Sequence, residues 1–290
     1  VARAATWPPW MARTNPRISA VQVVRDSHNP NLEELLRLDL DLVFFWDHSD
    51  LVRKLERQGL TVVCPQPERV RLGSADDFAR TLAAAVEVYG QALGSAAAER
   101  ATAWSGYFEQ TRRLIEGRTA SLTAAERPRV YYVRGPSAFT THGAEQNISW
   151  FGEMAGGDMV VKYAEAKGIA EVSLEQILVW DPEVIFVGRQ YSPDLVLKDP
   201  RWRDVSAVRT GRVQVIPDGV FYWDSSSEGV LLLQYMAKIL HPALFQDIDL
   251  EREVRDYYRA FYGYPLSHEE VVRLLQGQGP DGQRRNPLNN

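Results

Sequence analysis

Short apolar runs alternate with helically spaced segments on both sides of one long stretch rich in Ala, Glu and Arg. That order predicts an α/β protein of two Rossmann-like lobes with parallel-rich sheets, joined by one long helix. Two observations support it. The chain has 290 residues, enough for two packed cores. One pattern also occurs twice, once per lobe: NLEELLRLDLDLVFF (31–45) and SLEQILVWDPEVIFV (173–187) align without a gap, 142 residues apart.

The first lobe, residues 1–95, reads helix (NLEELLRL), buried strand (DLVFFW), amphipathic helix closed by Gly59 (SDLVRKLERQG) and strand (LTVVCP). Connections this short imply parallel strands covered by helices. Residues 96–126 lack proline until the stretch ends and form the interlobe helix, about 38 Å long if 25 residues are helical. The second lobe, 127–275, opens with the strand PRVYYVRG and the helix ISWFGEMAGG. It continues with VSLEQILVW (helix), EVIFVG and GRVQVIP (strands) and closes with EGVLLLQYMAKILHPALF, LEREVRDYYRAFYG and a short helix after Pro265. Residues 276–290, rich in Gly, Pro and Asn, are expected to be a flexible tail.

Composition excludes several partners. Hydrophobic residues make up 45% and charged residues 24%, with a net charge of −5 and no long Lys/Arg block. Nucleic acid and anionic membrane surfaces are therefore not expected as partners. No apolar run approaches the roughly 18–20 residues that cross a bilayer. The one cysteine, Cys64 in the run TVVC, excludes an intrachain disulfide and reads as a buried thiol. Enzyme motifs are missing too: no G-x-G-x-x-G after a strand, no P-loop and no nucleophile elbow occur. Asp47 and His48 are adjacent, which is not the mutual geometry that acid–base work requires.

The repeat matches leucines, an aspartate and a phenylalanine, as any reused helix-turn-strand unit would. It also matches Glu33 with Glu175 in the first turn of each helix. After the N-caps Asn31 and Ser173, a glutamate gains from the helix dipole by roughly 0.3–1 kcal/mol, which alone could account for both. The other reading makes them two acidic pegs for a basic partner.

These sentences resemble the class III periplasmic substrate-binding proteins of ABC importers for cobalamin, ferric siderophores and haem. PRVYYVRG with FTTHGAEQNISWFGEMAGG, DPRWRDVSAVRTGRVQVIP, and FYWDSSSEGVLLLQYMAKILHPALF are similar to further family segments. The resemblance spans about residues 25–265. It implies that Glu33 and Glu175 dock into arginine pockets of the importer's transmembrane subunits. It also implies a monomer located in the periplasm, or lipid-anchored outside the cytoplasmic membrane, and no catalysis. The family's opening strand and helix have no counterpart here. Residues 1–20 resemble the irregular stretch before NLE, so the first lobe reads as lacking its first βα unit.

Ligands of open α/β sheets bind beyond the carboxyl ends of the strands. Those positions hold Trp46 and His48 after DLVFF, with His28 in the loop before Asn31. In the second lobe they hold Arg134, then His142 in FTTHG, Arg189 and Tyr191 after EVIFVG, and Tyr222 and Trp223 after VQVIP. Aromatic planes with guanidinium groups suit a large, flat, anionic ligand. The expectation is a metal chelate containing Fe or Co, captured in an interlobe cleft, with no intrinsic cofactor. His142 could instead ligate a metal directly, as in a nickel-binding protein.

Overall fold

The computed structural model describes residues 2–4, 8–24, 30–45, 50–65, 72–164 and 166–284. The chain divides into two compact units, Val1–Trp7 with Met11–Phe108 and Pro8–Trp10 with Glu109–Asn290.

In unit 1, β1 (Ala2–Ala4) pairs in parallel with β2 (Gln22–Val24), Ala2 opposite Gln22. Between them α1 (Pro9–Thr14) starts on a proline, whose missing N–H would have had no helical acceptor anyway. The stretch 1–20, read as irregular, thus carries one strand, β1, whose partner β2 lies just beyond it. Both strands are three residues long, too short for alternation to show in sequence. α2 (Leu32–Arg37) is capped by Asn31, whose side chain accepts from the Glu34 N–H at 3.1 Å. Asp39 then turns the chain at φ 47° into β3 (Val43–Phe44). β3 pairs in parallel with β4 (Val62–Val63) across α3 (Asp50–Arg57). Val24, Leu35 and Leu55 centre this core, with Leu32, Val43, Leu51 and Val62 around them. α4 (Ala75–Ala92) follows, capped by Ser74.

The alanine-rich stretch is a single helix, α5 (Ser95–Thr119), of 25 residues. The boundary between units falls within it, after Phe108. Arg112 bridges Glu109 at 2.9 Å and Glu116 at 2.7 Å along its surface.

Unit 2 runs β5 (Arg129–Val133), β6 (Thr140–His142), α6 (Asn147–Met154), β7 (Asp158–Met159) and β8 (Ile169–Glu171). Then come α7 (Leu174–Trp180), β9 (Val184–Val187), α8 (Asp194–Leu197), α9 (Ser206–Arg209) and β10 (Val213–Val215). α10 (Gly229–Leu240), α11 (Leu250–Tyr257) and α12 (His268–Leu275) close it. The main sheet has the order β10-β9-β5-β7, every pair parallel. Its central strands β5 and β9 are buried on both faces, which is why VYYV and VIFV read as unbroken apolar runs. Tyr131, Val133, Ile185, Val187 and Trp202 form the core against Ile177 of α7.

The tail is held as far as Arg284. Trp10 Nε1 donates to the Gln278 carbonyl at 2.9 Å, Arg273 to Pro280 at 2.6 Å, and Arg284 to Gln276 at 2.8 Å. Within the tail expected to be flexible, Gln278 and Pro280 have partners from outside it: buried Trp10 and the α12 guanidinium.

The repeated unit is the same object twice. Ser173 accepts from Gln176 N–H at 3.2 Å, Asp181 sits at φ 40°, and β9 follows. Left-handed backbone suits Asp better than most L-residues, hence the same residue at both turns. Only Asp181 has a second role: its carboxylate accepts from Ser206 N–H and Oγ–H, both at 2.7 Å, holding the start of α9. Asp39→Gly should therefore stay within about 0.5 kcal/mol of wild type, since glycine suits the turn. Asp181→Gly should destabilise by about 1–2 kcal/mol through the lost bonds. Urea unfolding of the two variants checks this; equal stabilities would contradict it.

Candidate ligand site

β5 and β9 pair with Val133 opposite Val187, so the residues just beyond them leave the sheet as neighbours. The Gly188 N–H donates to the Val133 carbonyl at 3.0 Å, extending the ladder by one bond. Arg134 and Arg189 follow. Arg189 (φ 58°) and Gln190 (φ 66°) are both left-handed, two consecutive positions that L side chains seldom adopt.

The two arginines have different fates. Arg189 Nε donates to Asp224 Oδ2 at 2.9 Å, and its Nη2 donates to Ser225 Oγ at 2.9 Å. Its guanidinium lies 4.6 Å from the centroid of the Tyr222 ring. Tyr132, buried in β5, donates its O–H to the same Oδ2 at 2.6 Å. The Asp224 side chain is only 2% exposed. Burial pushes its carboxyl up, but the Arg189 charge and the Tyr132 hydrogen bond more than offset this, leaving it below the ordinary value. Arg189 is thus a neutralised cation.

Arg134 is not. Its Nε donates to His142 Nε2 at 3.2 Å and its Nη1 to the Gly135 carbonyl at 3.3 Å. Among the described residues it has no carboxylate partner. Because Nε2 accepts from Arg134, the neutral imidazole carries its proton on Nδ1. That Nδ1 is buried and has no hydrogen-bond partner among the described residues. Burial pushes His142 down to about 4, and the Arg189 and Arg134 charges press the same way against Asp224. The pair therefore combines an uncompensated guanidinium with a buried, unspent N–H donor. Both are complementary to an anionic oxygen.

Residues 2–219 match the Periplasmic binding protein family. This chain belongs to that family. Its members are the ligand-carrying partners of ABC transporters. The chain is 28% identical over 277 residues to the molybdate-binding protein MolA of Haemophilus influenzae, covering 90% of this chain and 78% of that one. A periplasmic solute binding protein of Veillonella parvula superposes with a TM-score of 0.76 at 25% identity, over 91% of this chain and 79% of its own. The structure of Haemophilus influenzae MolA bound to molybdate gives 0.77 at 24% identity, over 90% and 84%. No helix among the described residues is long and apolar enough to cross a membrane.

The structure of this periplasmic binding protein brings Arg134, His142, Arg189 and Tyr222 together in unit 2. Tyr191 joins them: a Cβ on Gly135 would fall on the Tyr191 ring, so only glycine at 135 admits this approach. Trp223 differs from expectation. It is fully buried, edge-on to Tyr235 with centroids 6.3 Å apart, because a short 3-10 turn at Trp223–Ser225 folds it under the loop. FTTHG is not a loop throughout; Thr140–His142 is β6, antiparallel to β8 with His142 opposite Ile169. His142 as a metal ligand meets two obstacles: its Nε2 lone pair is engaged by Arg134, and no group of three His, Cys, Asp or Glu that could hold a metal occurs among the described residues. Trp46, His48 and His28 lie outside the described residues. Glu33 is exposed and pairs with Arg37 at 3.5 Å, whereas Glu175 is exposed without an ion pair among the described residues.

Tyr132, Asp224, Ser225 and Glu228 are site residues that the sequence did not point to. The Asp–Ser–Ser–Ser–Glu run before α10 was the available signal, since such polar density ahead of a buried helix needs partners. Glu228 is fully buried. It accepts from Phe221 N–H at 2.9 Å and Tyr258 O–H at 2.7 Å, and burial pushes it up to about 7. Asp218, nearby in chain and buried, is also pushed well up, by burial and by the Asp224 charge.

His142 and Glu228 act on stability with opposite sign. His142, lowered from 6.5 to about 4, loses stability as pH falls through that window. Glu228, raised from 4.5 to about 7, loses it as pH rises through its own. Each window spans on the order of 3 kcal/mol, so the two largely cancel between pH 4.5 and 6.5. Glu228→Gln should unmask His142, making stability rise more steeply with pH across that range than in wild type. Denaturant unfolding at pH 4.5, 5.5 and 6.5 measures the slope; parallel curves for both proteins would refute the assignment.

Proposed function

We propose that this protein captures a metal-containing anion and delivers it to the transmembrane subunits of an ABC importer. The Arg134–His142 pair carries the reading. A ligand oxygen accepts from the buried His142 Nδ1–H while Arg134 supplies the charge that Arg189, tied to Asp224, does not. Glu33 and Glu175, each in the exposed first turn of its helix, are the docking pegs.

A compact oxyanion of the molybdate kind is favoured over the flat chelates. Similarity to a molybdate-binding protein over 90% of the chain supports this. So does the state of the aromatics in unit 2: Trp223 is buried, Tyr222 lies against Arg189, and Tyr191 lies on Gly135. A ferric siderophore, corrinoid or haem needs an open aromatic platform, which would have to come from residues such as Trp46. Direct nickel coordination is less favoured, because it needs an imidazole lone pair that Arg134 occupies.

Calorimetric titration with molybdate, tungstate, sulfate, phosphate, haemin, cyanocobalamin and Ni(II) tests the reading. Molybdate or tungstate should saturate the protein. Arg134→Gln should weaken binding at least 50-fold, the scale of one charge-assisted contact left unmade, and His142→Phe about 10-fold. Saturation by haemin or cyanocobalamin with no heat from the oxyanions would overturn it. Replacing Glu33 and Glu175 together by Ala should leave ligand affinity unchanged and abolish import; normal import would discard the docking role.

A further inference from the structure

The repeated helices match in a way that core packing does not explain. Leu35 and Ile177, equivalent positions, point inward at 5% and 0% exposure. The next pair, Leu36 and Leu178, points outward at 41% and 42%. A single exposed leucine needs no explanation. Here the same leucine is exposed to the same degree in each of the two compact units. In each unit it lies three residues after the exposed glutamate, on the same helix face and about 5–6 Å away between Cβ atoms. In α7 the face widens through Val179, which is 83% exposed.

We infer that each docking site is a composite of acid and apolar surface: Glu33 with Leu36 in unit 1, and Glu175 with Leu178 and Val179 in unit 2. The inference rests on the docking reading above. The occupant is the importer's transmembrane subunit, presenting beside each basic pocket an apolar shelf that covers the leucine. The charge argument fixes the sign of the partner, and the duplication fixes its number: a surface built twice in one chain fits a receptor that presents the same surface twice. A lone acid would confer long-range attraction that salt screens, whereas the apolar patch adds a contact that salt does not weaken. The two sites also differ. Arg37 pairs with Glu33 at 3.5 Å, while its equivalent beside Glu175 is Val179 and Glu175 feels Arg201 only at longer range, without an ion pair among the described residues. The unit 2 site should therefore contribute more.

The test is binding of the purified protein to its detergent-solubilised ABC importer, immobilised and measured at 20 and 300 mM salt. The variants are Leu36→Ser with Leu178→Ser, Glu33→Gln with Glu175→Gln, and each single glutamate change. The leucine pair should weaken binding at least 10-fold by the same factor at both salt concentrations, with the thermal midpoint of unfolding unchanged. The glutamate pair should weaken it mainly at low salt, and Glu175→Gln more than Glu33→Gln. Wild-type binding by the leucine pair, with the glutamate pair weakened, overturns the inference and leaves the docking reading standing. If neither pair weakens binding, both fall.

Discussion

Because β5 and β9 run parallel and in register, two guanidinium groups leave the sheet of unit 2 at adjacent points. Unrelieved, two such charges at a partly buried strand end would repel each other and lose solvation together. Asp224 removes the conflict by binding one of them. It is held on three sides, by Arg189 and Tyr132 at Oδ2 and by the Ser225 hydroxyl at Oδ1. A carboxylate that is 2% exposed stays ionised only with such company. The remaining polar layout follows from this: Arg189 is anchored, Arg134 has no carboxylate partner among the described residues, and His142 faces two cations and stays neutral.

The anchoring also explains an awkward piece of backbone. Left-handed conformations at both Arg189 and Gln190 cost roughly 1–3 kcal/mol each and persist only where the surroundings hold them. The Asp224 ion pair, the Ser225 hydrogen bond and the Tyr222 ring together hold Arg189. Behind them Glu228 ties the Phe221 backbone to Tyr258, and the room for its carboxylate comes from Gly219, where a Cβ would strike it. The aromatic loop is thus fixed from below by a buried acid. That is why Trp223 belongs to the core while Tyr222, one residue earlier, remains near the surface.

The fold was readable where one rule acted locally. N-cap, left-handed Asp and strand all sit within fifteen residues, so NLEELLRLDLDLVFF and its partner declared the unit without help from the rest of the chain. The strand is buried only in the second copy: Val43 and Phe44 of β3 are half-buried and exposed, respectively. The same sentences hid which leucine faces inward. Helices of six and seven residues make under two turns, too short for apolar spacing to define a face, so Leu35 and Leu36 look alike until the unit is packed. The site was half readable for a similar reason. Arg134 and Arg189 follow from the rule that functional side chains lie beyond strand ends, but which arginine has its charge compensated depends on Asp224, 35 residues beyond Arg189. Tyr132 was invisible as a polar partner because it occupies a position in VYYV that sequence assigns to apolar packing.

The repeated unit places Glu175 and Arg189 closer than their chain separation suggests. Only residues 181–183 lie between α7 and β9, and both elements pack into one core, so the strand must run back alongside the helix. The first turn of α7, with Glu175, then lies at the same edge of unit 2 as the end of β9, with Arg189. At the opposite edge α7 is clamped: Arg129 at the start of β5 donates to the carbonyls of Trp180 and Asp181 at 2.9 and 3.0 Å, and Asp181 holds Ser206. A load applied at Glu175 would therefore act on the free end of a helix pinned at its other end. The pin joins α7 to β5, the strand that carries Arg134. The helix is about 10 Å long and the five-residue strand about 17 Å, so both are stiff on the scale of the unit. Glu175 and Arg189 thus share one edge of the sheet and are joined through its far edge, a connection made of two short elements and one guanidinium.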